Sequence, residues 1–458
     1  MDCKYGKLWN CYILNKTCIT MNIIMVTSRG PYSYDRGRNG SVRRDNVGGV
    51  ATGLKNVMES NGGDWICWGD GSLDSQFLNE DNGKYKIHRI ILDQKEKKGY
   101  YDDYSNSTLW PLFHYFREKI YHDSRAYHYY RQVNRKFSEQ IMKIARDDDV
   151  IWIHDYQLSL VPGFLRDQGI GNRIIFTWHI PWVASGFYSI LPERNDIVRS
   201  ISTSDSITFH TDNYGKNFRD SYYRVIGKDK GLERKIHTIP LGINYKHFAE
   251  SDHKLKRKPF HQEKIIFSID RLDYTKGLVQ RVNSIETLLK KYPEMREKFV
   301  FIMIVTPSRS GVRDYDILKD ELEMNIGRIN GLYGNIHWTP IIYMYRKISS
   351  MQLHNYYTWA DIALITPLID GLNLVAEEYV STTEKGILII SEFAGISRYL
   401  KGAILTNPNS GDDVADKIKK AIEMDSEEIA LRLRTMKEFA KRHDGSWWMK
   451  KVLNTIKN

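Results

Sequence analysis

Two short stretches hold the side chains best suited to chemistry. In Asp270-Arg271-Leu272-Asp273-Tyr274-Thr275-Lys276-Gly277, two cations stand five residues apart, directly after an apolar run and at the start of a helical pattern. The first turn of a helix favours negative charge, and Arg and Lys beside it each bond phosphate oxygens well. The stretch reads as a clamp for a diphosphate; the plainer alternative is a pair of solvated cations. In Thr366-Pro367-Leu368-Ile369-Asp370-Gly371-Leu372-Asn373-Leu374-Val375-Ala376-Glu377-Glu378, a strand runs into a turn and then a helix. Asp370 at the turn is placed for sugar hydroxyls. Glu378, eight positions on, lies about two helical turns away on the same face, placed for a ribose diol. The alternative is an Asp370 that merely caps the helix.

Weaker candidates surround these. Ser28-Arg29-Gly30 ends an apolar run, where an arginine can grip an anion. In Asn46-Val47-Gly48-Gly49-Val50 the paired glycines let backbone amides approach a ligand, and a helix expected over residues 51–58 adds the favourable end of its dipole. The spacing matches neither the dinucleotide nor the nucleoside-triphosphate fingerprint. Residues 101–114, from Tyr101 to His114, are rich in aromatic faces that suit sugar rings, although core packing explains any one of them. His154-Asp155-Tyr156 and Trp178-His179-Ile180-Pro181 each follow a strand and suit sugar hydroxyls, a metal or a catalytic pair. Asp147-Asp148-Asp149 precedes a strand, on the wrong side of a sheet, and reads as a solvated face.

The elements that must position these residues follow a βαβ rhythm. Short apolar runs at 23–26, 150–153, 173–178 and 206–209 alternate with helical patterns. A charged, Pro-containing stretch at 254–263 reads as a linker. The rhythm then restarts with strands at 264–269, 299–305, 362–365 and 386–390. The expected fold class is α/β: two Rossmann-like, doubly wound parallel-sheet domains, with the site in the cleft between them, because open parallel sheets bind ligands at the carboxyl ends of their strands. The expected division is an N-terminal extension at 1–20, an acceptor domain at 21–250 and a donor domain at 251–440, with a last helix at 440–458 packing back on the first domain.

Bulk properties exclude several classes. The chain has 458 residues, too many for one ordinary core. Its net charge of +11 is spread along the sequence with no nucleic-acid motif, so a basic surface suited to anionic sugar phosphates is expected, and no nucleic-acid partner. Three of the four cysteines fall in the first eighteen residues and match no zinc spacing, so reduced thiols in a cytoplasm are expected. No stretch approaches the roughly 18 apolar residues of a membrane helix, so no membrane partner is expected either. Residues 1–20 do not read as a signal peptide, and Met21 is an alternative translation start.

Together these residues resemble the trehalose-6-phosphate synthase family. The resemblance rests on the stretches around Trp110-Pro111, His154-Asp155-Tyr156, His179-Ile180-Pro181, residues 270–277 and residues 370–378. Gly327-Arg328-Ile329-Asn330-Gly331 and Trp338-Thr339-Pro340 add to it, and the matches run in order from about residue 22 to 450. It implies the B-type glycosyltransferase fold and retaining transfer of glucose from a nucleotide-glucose, with UDP-glucose the expected donor, to glucose 6-phosphate. It also implies no metal or other cofactor. Carried over residue by residue, Arg29, Tyr101, Trp110 and Arg309 hold the acceptor phosphate or line its pocket, and Trp68 and Asp155 touch the acceptor sugar. Gly48 and Gly49 form the donor loop. Arg271 and Lys276 clamp the diphosphate, and Ile348 meets the base through its backbone. His179 and Ile180 lie by the donor glucose. Asp370, Gly371, Leu372, Asn373, Leu374, Val375, Ala376, Glu377 and Glu378 bind the donor sugar and ribose. His179, Arg271, Lys276 and Asp370 are the expected catalytic group. Two departures stand out: Ile369 where the family usually has Arg, and Val50 where Leu is common. No phosphatase-like domain is expected from these motifs, so dephosphorylation of the product is expected to fall to another enzyme. Oligomeric state stays open, with a homo-oligomer compatible. The rival readings are a glucosylglycerol-phosphate synthase, a pseudo-glycosyltransferase coupling cyclitols, and a catalytically silent subunit that binds sugar phosphate.

Overall fold

The structure is a computed structural model that describes residues 22–38, 40–46, 49–250, 258, 264–308 and 313–457. The expected extension at 1–20, the Met21 start, Gly48, Arg309 and most of the 254–263 linker lie outside the described residues.

Two parallel sheets carry the chain. In spatial order the first has strands Ile236–Thr238, Ser206–Phe209, Arg173–Thr177, Val150–His154, Ile23–Arg29, Asp64–Trp68, Lys86–Ile90 and Asn79–Asp81. Only the Asn79–Asp81 edge runs antiparallel to its neighbour. The second sheet has the order Ile341–Tyr345, Phe299–Thr306, Lys264–Arg271, Ile362–Ile365, Ile387–Ser391 and Ile404–Thr406, all parallel. The central strands read as apolar runs because helices cover both faces; Val150–His154 and Ile387–Ser391 are buried along their whole length.

Each sheet reverses its winding at one place. In the first it is between Ile23–Arg29 and Val150–His154, and in the second between Lys264–Arg271 and Ile362–Ile365. Ligand crevices of open α/β sheets open at such switch points. They place Arg29 and His154 at one crevice, and the segments after Arg271 and Ile365 at the other.

Six strands escape the apolar-run criterion: Asp64–Trp68, Lys86–Ile90, the edges Asn79–Asp81 and Ile236–Thr238, and in the second sheet Ile341–Tyr345 and Ile404–Thr406. They are short, and several carry charged or polar residues, as in Lys-Ile-His-Arg-Ile. A separate hairpin, Tyr32–Gly37 with Gly40–Asp45, is also added. The aromatic run from Tyr101 lies in a π-helix, Lys98–Leu109, as far as Leu109 and continues in an α-helical turn, Trp110–Phe113. The wide turns of the π-helix are echoed by side chains: the hydroxyls of Ser105 and Ser107 donate to the carbonyls of Tyr100 and Asp102, five residues back, at 2.7 and 2.9 Å.

The acid run needs a correction. Asp147 and Asp148 are exposed, but Asp149 is buried. Its carboxylate accepts from Asn22 Nδ2 at 3.0 Å and from the Arg146 amide at 2.9 Å, pinning the strand start.

The last helix, Gly445–Asn454, returns to the first domain. Trp448 is fully buried there, its ring 4.9 Å from that of Trp152 and near those of His154 and His179. The Gly445 amide donates to the Ile243 carbonyl, and Thr455 bonds Ser206 at 2.6 Å. Trp448→Ala is expected to cost about 3–5 kcal/mol, as for other buried aromatics. Urea unfolding checks this; a loss below about 1 kcal/mol would mean that the helix end contributes little to the fold.

Candidate active site

On the donor side, geometry begins with Gly277, whose φ is 62° and whose Cβ, if present, would lie 2.6 Å from the Thr366 carbonyl oxygen. The glycine lets the chain after the Lys264–Arg271 strand press against the chain after Ile362–Ile365. Across that contact Lys276 Nζ lies 2.5 Å from Asp370 Oδ2 and 4.0 Å from Asp270 Oδ1, all largely buried. Burial alone would push Asp370 up, but the Lys276 ammonium and the Asn373 amide outweigh it and hold its carboxyl below the usual range. Burial likewise pulls Lys276 down, and the two aspartates more than restore it. The pair is therefore fully charged at neutral pH.

Asp370 does not cap the following helix. Asn373 does, from φ 84°: its side-chain oxygen accepts from the Ala376 amide at 3.2 Å, while its Nδ2 donates to Asp370 at 3.0 Å. Leu372, Leu374 and Ala376 are buried and Val375 half-buried. Ile348 is half-buried just past the strand Ile341–Tyr345. Glu378 accepts from the Tyr357 hydroxyl at 2.9 Å, and burial raises its carboxyl to about 7. Glu377 is buried, with its value raised by burial and by Glu378. Arg271 is half-exposed, 3.7 Å from Asp273.

One organiser was not legible in the sequence. Arg281, one turn into the helix Leu278–Lys291, is fully buried. It donates to Asp270 (2.8 Å), to Thr366 Oγ1 (2.9 Å) and to the Lys276 carbonyl (3.0 Å), tying both strand ends together. Its helical position resembles that of a solvated cation, so only the tertiary contact reveals it.

On the acceptor side, the Arg29 guanidinium stands 4.9 Å from the Tyr101 ring and 6.0 Å from that of Trp68, with Nε 3.4 Å from Asp70. The Trp68 and Tyr101 rings lie 5.4 Å apart. The π-helix is held to the same strand end by Tyr100, whose hydroxyl donates to Ser28 at 2.9 Å. Asp155 directly follows Val150–His154 with φ 71°, a conformation rare for a residue other than glycine. Its carboxylate accepts from the His179 amide at 3.2 Å, and burial raises it to about 7 despite that bond.

The two halves meet. Arg271 of the second domain lies 5.7 Å over the Trp110 ring of the first. The Tyr214 hydroxyl donates to the Asp370 carbonyl at 3.1 Å, and that of Tyr399 to the His210 carbonyl at 2.7 Å. At Gly371 a Cβ would collide with the His179 carbonyl and lie 2.9 Å from Ile180 Cα. Arg29, Trp68, Tyr101, Trp110, Asp155, His179 and Ile180 thus share the strand-end face of the first domain, opposite Arg271, Lys276 and residues 370–378. His179 differs in one respect from the expected sugar contact: both of its ring nitrogens bond other histidines. Among the described residues no cluster of three His, Cys, Asp or Glu suits a metal ion, and no helix is long and apolar enough to cross a membrane.

If Asp155 meets an acceptor hydroxyl, affinity should follow its charge. The acceptor KM is expected to fall as pH rises through about 7, where Asp155 ionises. Asp155→Asn should remove that inflection while leaving any from the substrate's own phosphate. An unchanged KM profile in the variant would exclude Asp155 as its source.

A two-domain cleft with a buried cation–carboxylate pair on one wall and an arginine–aromatic cluster on the other defines a B-type glycosyltransferase fold. The chain belongs to glycosyltransferase family 20, whose profile matches residues 21–458. A bifunctional trehalose-6-phosphate synthase/phosphatase of Thermoproteus tenax is 37% identical, over 93% of this chain and 62% of that protein. A UDP-forming alpha,alpha-trehalose-phosphate synthase of Dictyostelium discoideum is 34% identical, over 95% and 62%. The chain thus spans 62% of the length of these two relatives. A UDP-forming alpha,alpha-trehalose-phosphate synthase of Candida albicans is 32% identical, over 93% of this chain and 95% of that one. Among solved structures, the Burkholderia xenovorans synthase in complex with glucose-6-phosphate superposes with a TM-score of 0.86 at 30% identity, over 95% and 100% of the two chains. The E. coli protein bound with UDP-2-fluoro glucose gives 0.87 at 30% identity, over 95% and 99%.

Proposed function

We propose that this protein transfers glucose, with retention, from UDP-glucose to glucose 6-phosphate, giving alpha,alpha-trehalose 6-phosphate and UDP. The observation that carries the reading is the opposition of the Lys276–Asp370 pair and the Arg29–Tyr101 cluster across one cleft, bridged by Arg271 over Trp110. The names of the relatives support it, as do the two ligands named for the solved structures.

The chemistry follows from charge. Breaking the glycosidic bond to the diphosphate builds negative charge on its oxygens, and Arg271 and Lys276 stabilise it. They supply the positive charge that a metal ion provides elsewhere, and no metal takes part. Asp370 orients Lys276 and accepts from a donor-sugar hydroxyl; the Leu372 and Asn373 backbone lines the same turn. Glu378 receives the ribose diol, and Gly48 and Gly49 cover the donor. Arg29 and Arg309 hold the acceptor phosphate, with Tyr101 and Trp110 beside it and Trp68 and Asp155 on the sugar. The acceptor hydroxyl attacks from the face the diphosphate leaves, and its proton passes to a diphosphate oxygen. No protein nucleophile is required. The protein works in the cytoplasm on these two small substrates.

The test is release of nucleoside diphosphate from UDP-, ADP- and GDP-glucose with glucose 6-phosphate, glucose or glycerol 3-phosphate as acceptor. Release with UDP-glucose that depends on glucose 6-phosphate is expected. Preference for glycerol 3-phosphate would move the protein to the glucosylglycerol-phosphate reaction, and no release with any pair would leave a silent binding protein.

A further inference from the structure

Three adjacent strands of the first sheet each deliver a histidine to the carboxyl edge. His154 closes Val150–His154, His179 lies two residues past Arg173–Thr177, and His210 directly follows Ser206–Phe209. Parallel register sets His154 opposite Thr177 and Thr177 opposite Thr208, so the imidazoles stand side by side. They form one chain. His154 Nδ1 is 2.9 Å from His179 Nε2, and His179 Nδ1 is 3.1 Å from His210 Nε2. The Leu241 amide closes it, 3.4 Å from His210 Nδ1. All three rings are buried.

A backbone amide only donates. It makes His210 Nδ1 an acceptor, so the His210 proton sits on Nε2 and is donated to His179 Nδ1. A neutral imidazole has one donor and one acceptor nitrogen. His179 therefore carries its proton on Nε2 and donates it to His154 Nδ1, and His154 carries its own on Nε2. That last nitrogen is buried and has no hydrogen-bond partner among the described residues. In that direction one amide sets three tautomers; the Ile239 carbonyl, which also meets His210, would favour the opposite run. A proton added inside the chain would turn two donors toward each other. Burial already lowers His154 to about 3 and His210 to about 4, and takes His179 well below its ordinary value, with the neighbouring imidazoles adding to it. The groups facing the chain that favour charge are Asp370 and the Ile239 carbonyl at His210, and burial outweighs them; the Asp155 carboxylate meets the His179 backbone amide.

We propose that His154 and His210 are positioning residues that hold His179 as a neutral Nε2–H imidazole and so fix its backbone between Asp155 and Gly371. The ring of His179 spends both nitrogens on its neighbours, and its backbone joins the two halves of the site: the amide donates to Asp155 and the carbonyl abuts Gly371. Neutrality has a use under the transfer reading, on which this proposal rests. Positive charge develops on the glucosyl ring as the diphosphate leaves, and an imidazolium beside it would oppose that charge.

The test uses the full chain labelled with ¹⁵N-histidine, without substrates, in long-range ¹H–¹⁵N spectra from about pH 5.5 to about 8.5. Two variants accompany it: His210→Leu removes the donor to His179, and His210→Gln keeps an N–H there. Three Nε2–H tautomers, unchanged over the range, are expected in the unmodified protein. His210→Leu should mix the tautomers of His179 and lower kcat about tenfold or more, and His210→Gln should restore both. An imidazolium or an Nδ1–H form at His179, or unaltered turnover in His210→Leu, overturns the proposal. The spectra need no turnover, so a protein that makes no product would refute the transfer reading and still leave the chain readable; if His210→Leu does not fold, the spectra of the unmodified protein decide alone.

Discussion

Lys276→Ala is expected to lower turnover by about a thousandfold, the upper range for losing one preorganised charge partner of a developing anion. The expectation comes from placement. Lys276 is buried at the reversal of the second sheet, fixed by Gly277, by the Arg281 bond to its carbonyl and by two aspartates. It cannot swing away, and little water screens it. The same substitution leaves Asp370 with its Asn373 bond and no adjacent cation, which for buried pairs costs about 3–5 kcal/mol of stability. The two effects separate in a double variant. Lys276→Ala with Asp370→Asn should recover much of the stability and none of the turnover. Near-normal kcat in Lys276→Ala, measured on folded protein, would sink the clamp assignment.

The second large effect is expected at Gly371. A methyl group there meets backbone on the opposing domain, the His179 carbonyl and Ile180 Cα, and neither can rotate aside. Relief comes only by parting the domains or bending the Asp370–Asn373 turn. The clash lies where the Asp370–Asn373 turn meets the chain at His179 and Ile180, outside the interiors of both sheets, so Gly371→Ala should shift Tm by a few degrees at most while turnover falls about a hundredfold, the scale of loss when reacting groups are displaced by about an ångström. Turnover and a thermal scan on the same preparation decide it. A large Tm loss with normal specific activity would mean that the contact supports folding and not the closed cleft.

The long buried strands were legible because parallel sheets covered on both faces demand continuous apolar runs. Strand ends then pointed to Arg29, Asp155, His179, Arg271 and Asp370, since chemistry gathers where parallel strands stop. The short strands were not legible: in Lys86–Ile90 only Ile87 and Ile90 are apolar, and the pairing comes from the neighbouring Asp64–Trp68 strand. Nor was Asp149 recognisable as buried, because its partner Asn22 is 127 positions away. Arg281 and His210 were missed for the same reason. Each looks ordinary in sequence and acquires its role from a contact that only the folded sheet creates. The Asp370 turn was half legible: the acid was evident, whereas the capping function belonged to Asn373, whose left-handed backbone shows only in three dimensions.

The central claim is transfer of glucose to glucose 6-phosphate across this cleft. Its most direct test is incubation with UDP-glucose labelled with ¹³C at the anomeric carbon and unlabelled glucose 6-phosphate, with the product read by mass and ¹³C NMR. One phosphorylated disaccharide is predicted, carrying the label in an α linkage to the anomeric carbon of the second glucose, with UDP formed in equal amount. A β-linked product, hydrolysis to free labelled glucose, or unchanged substrates would contradict it.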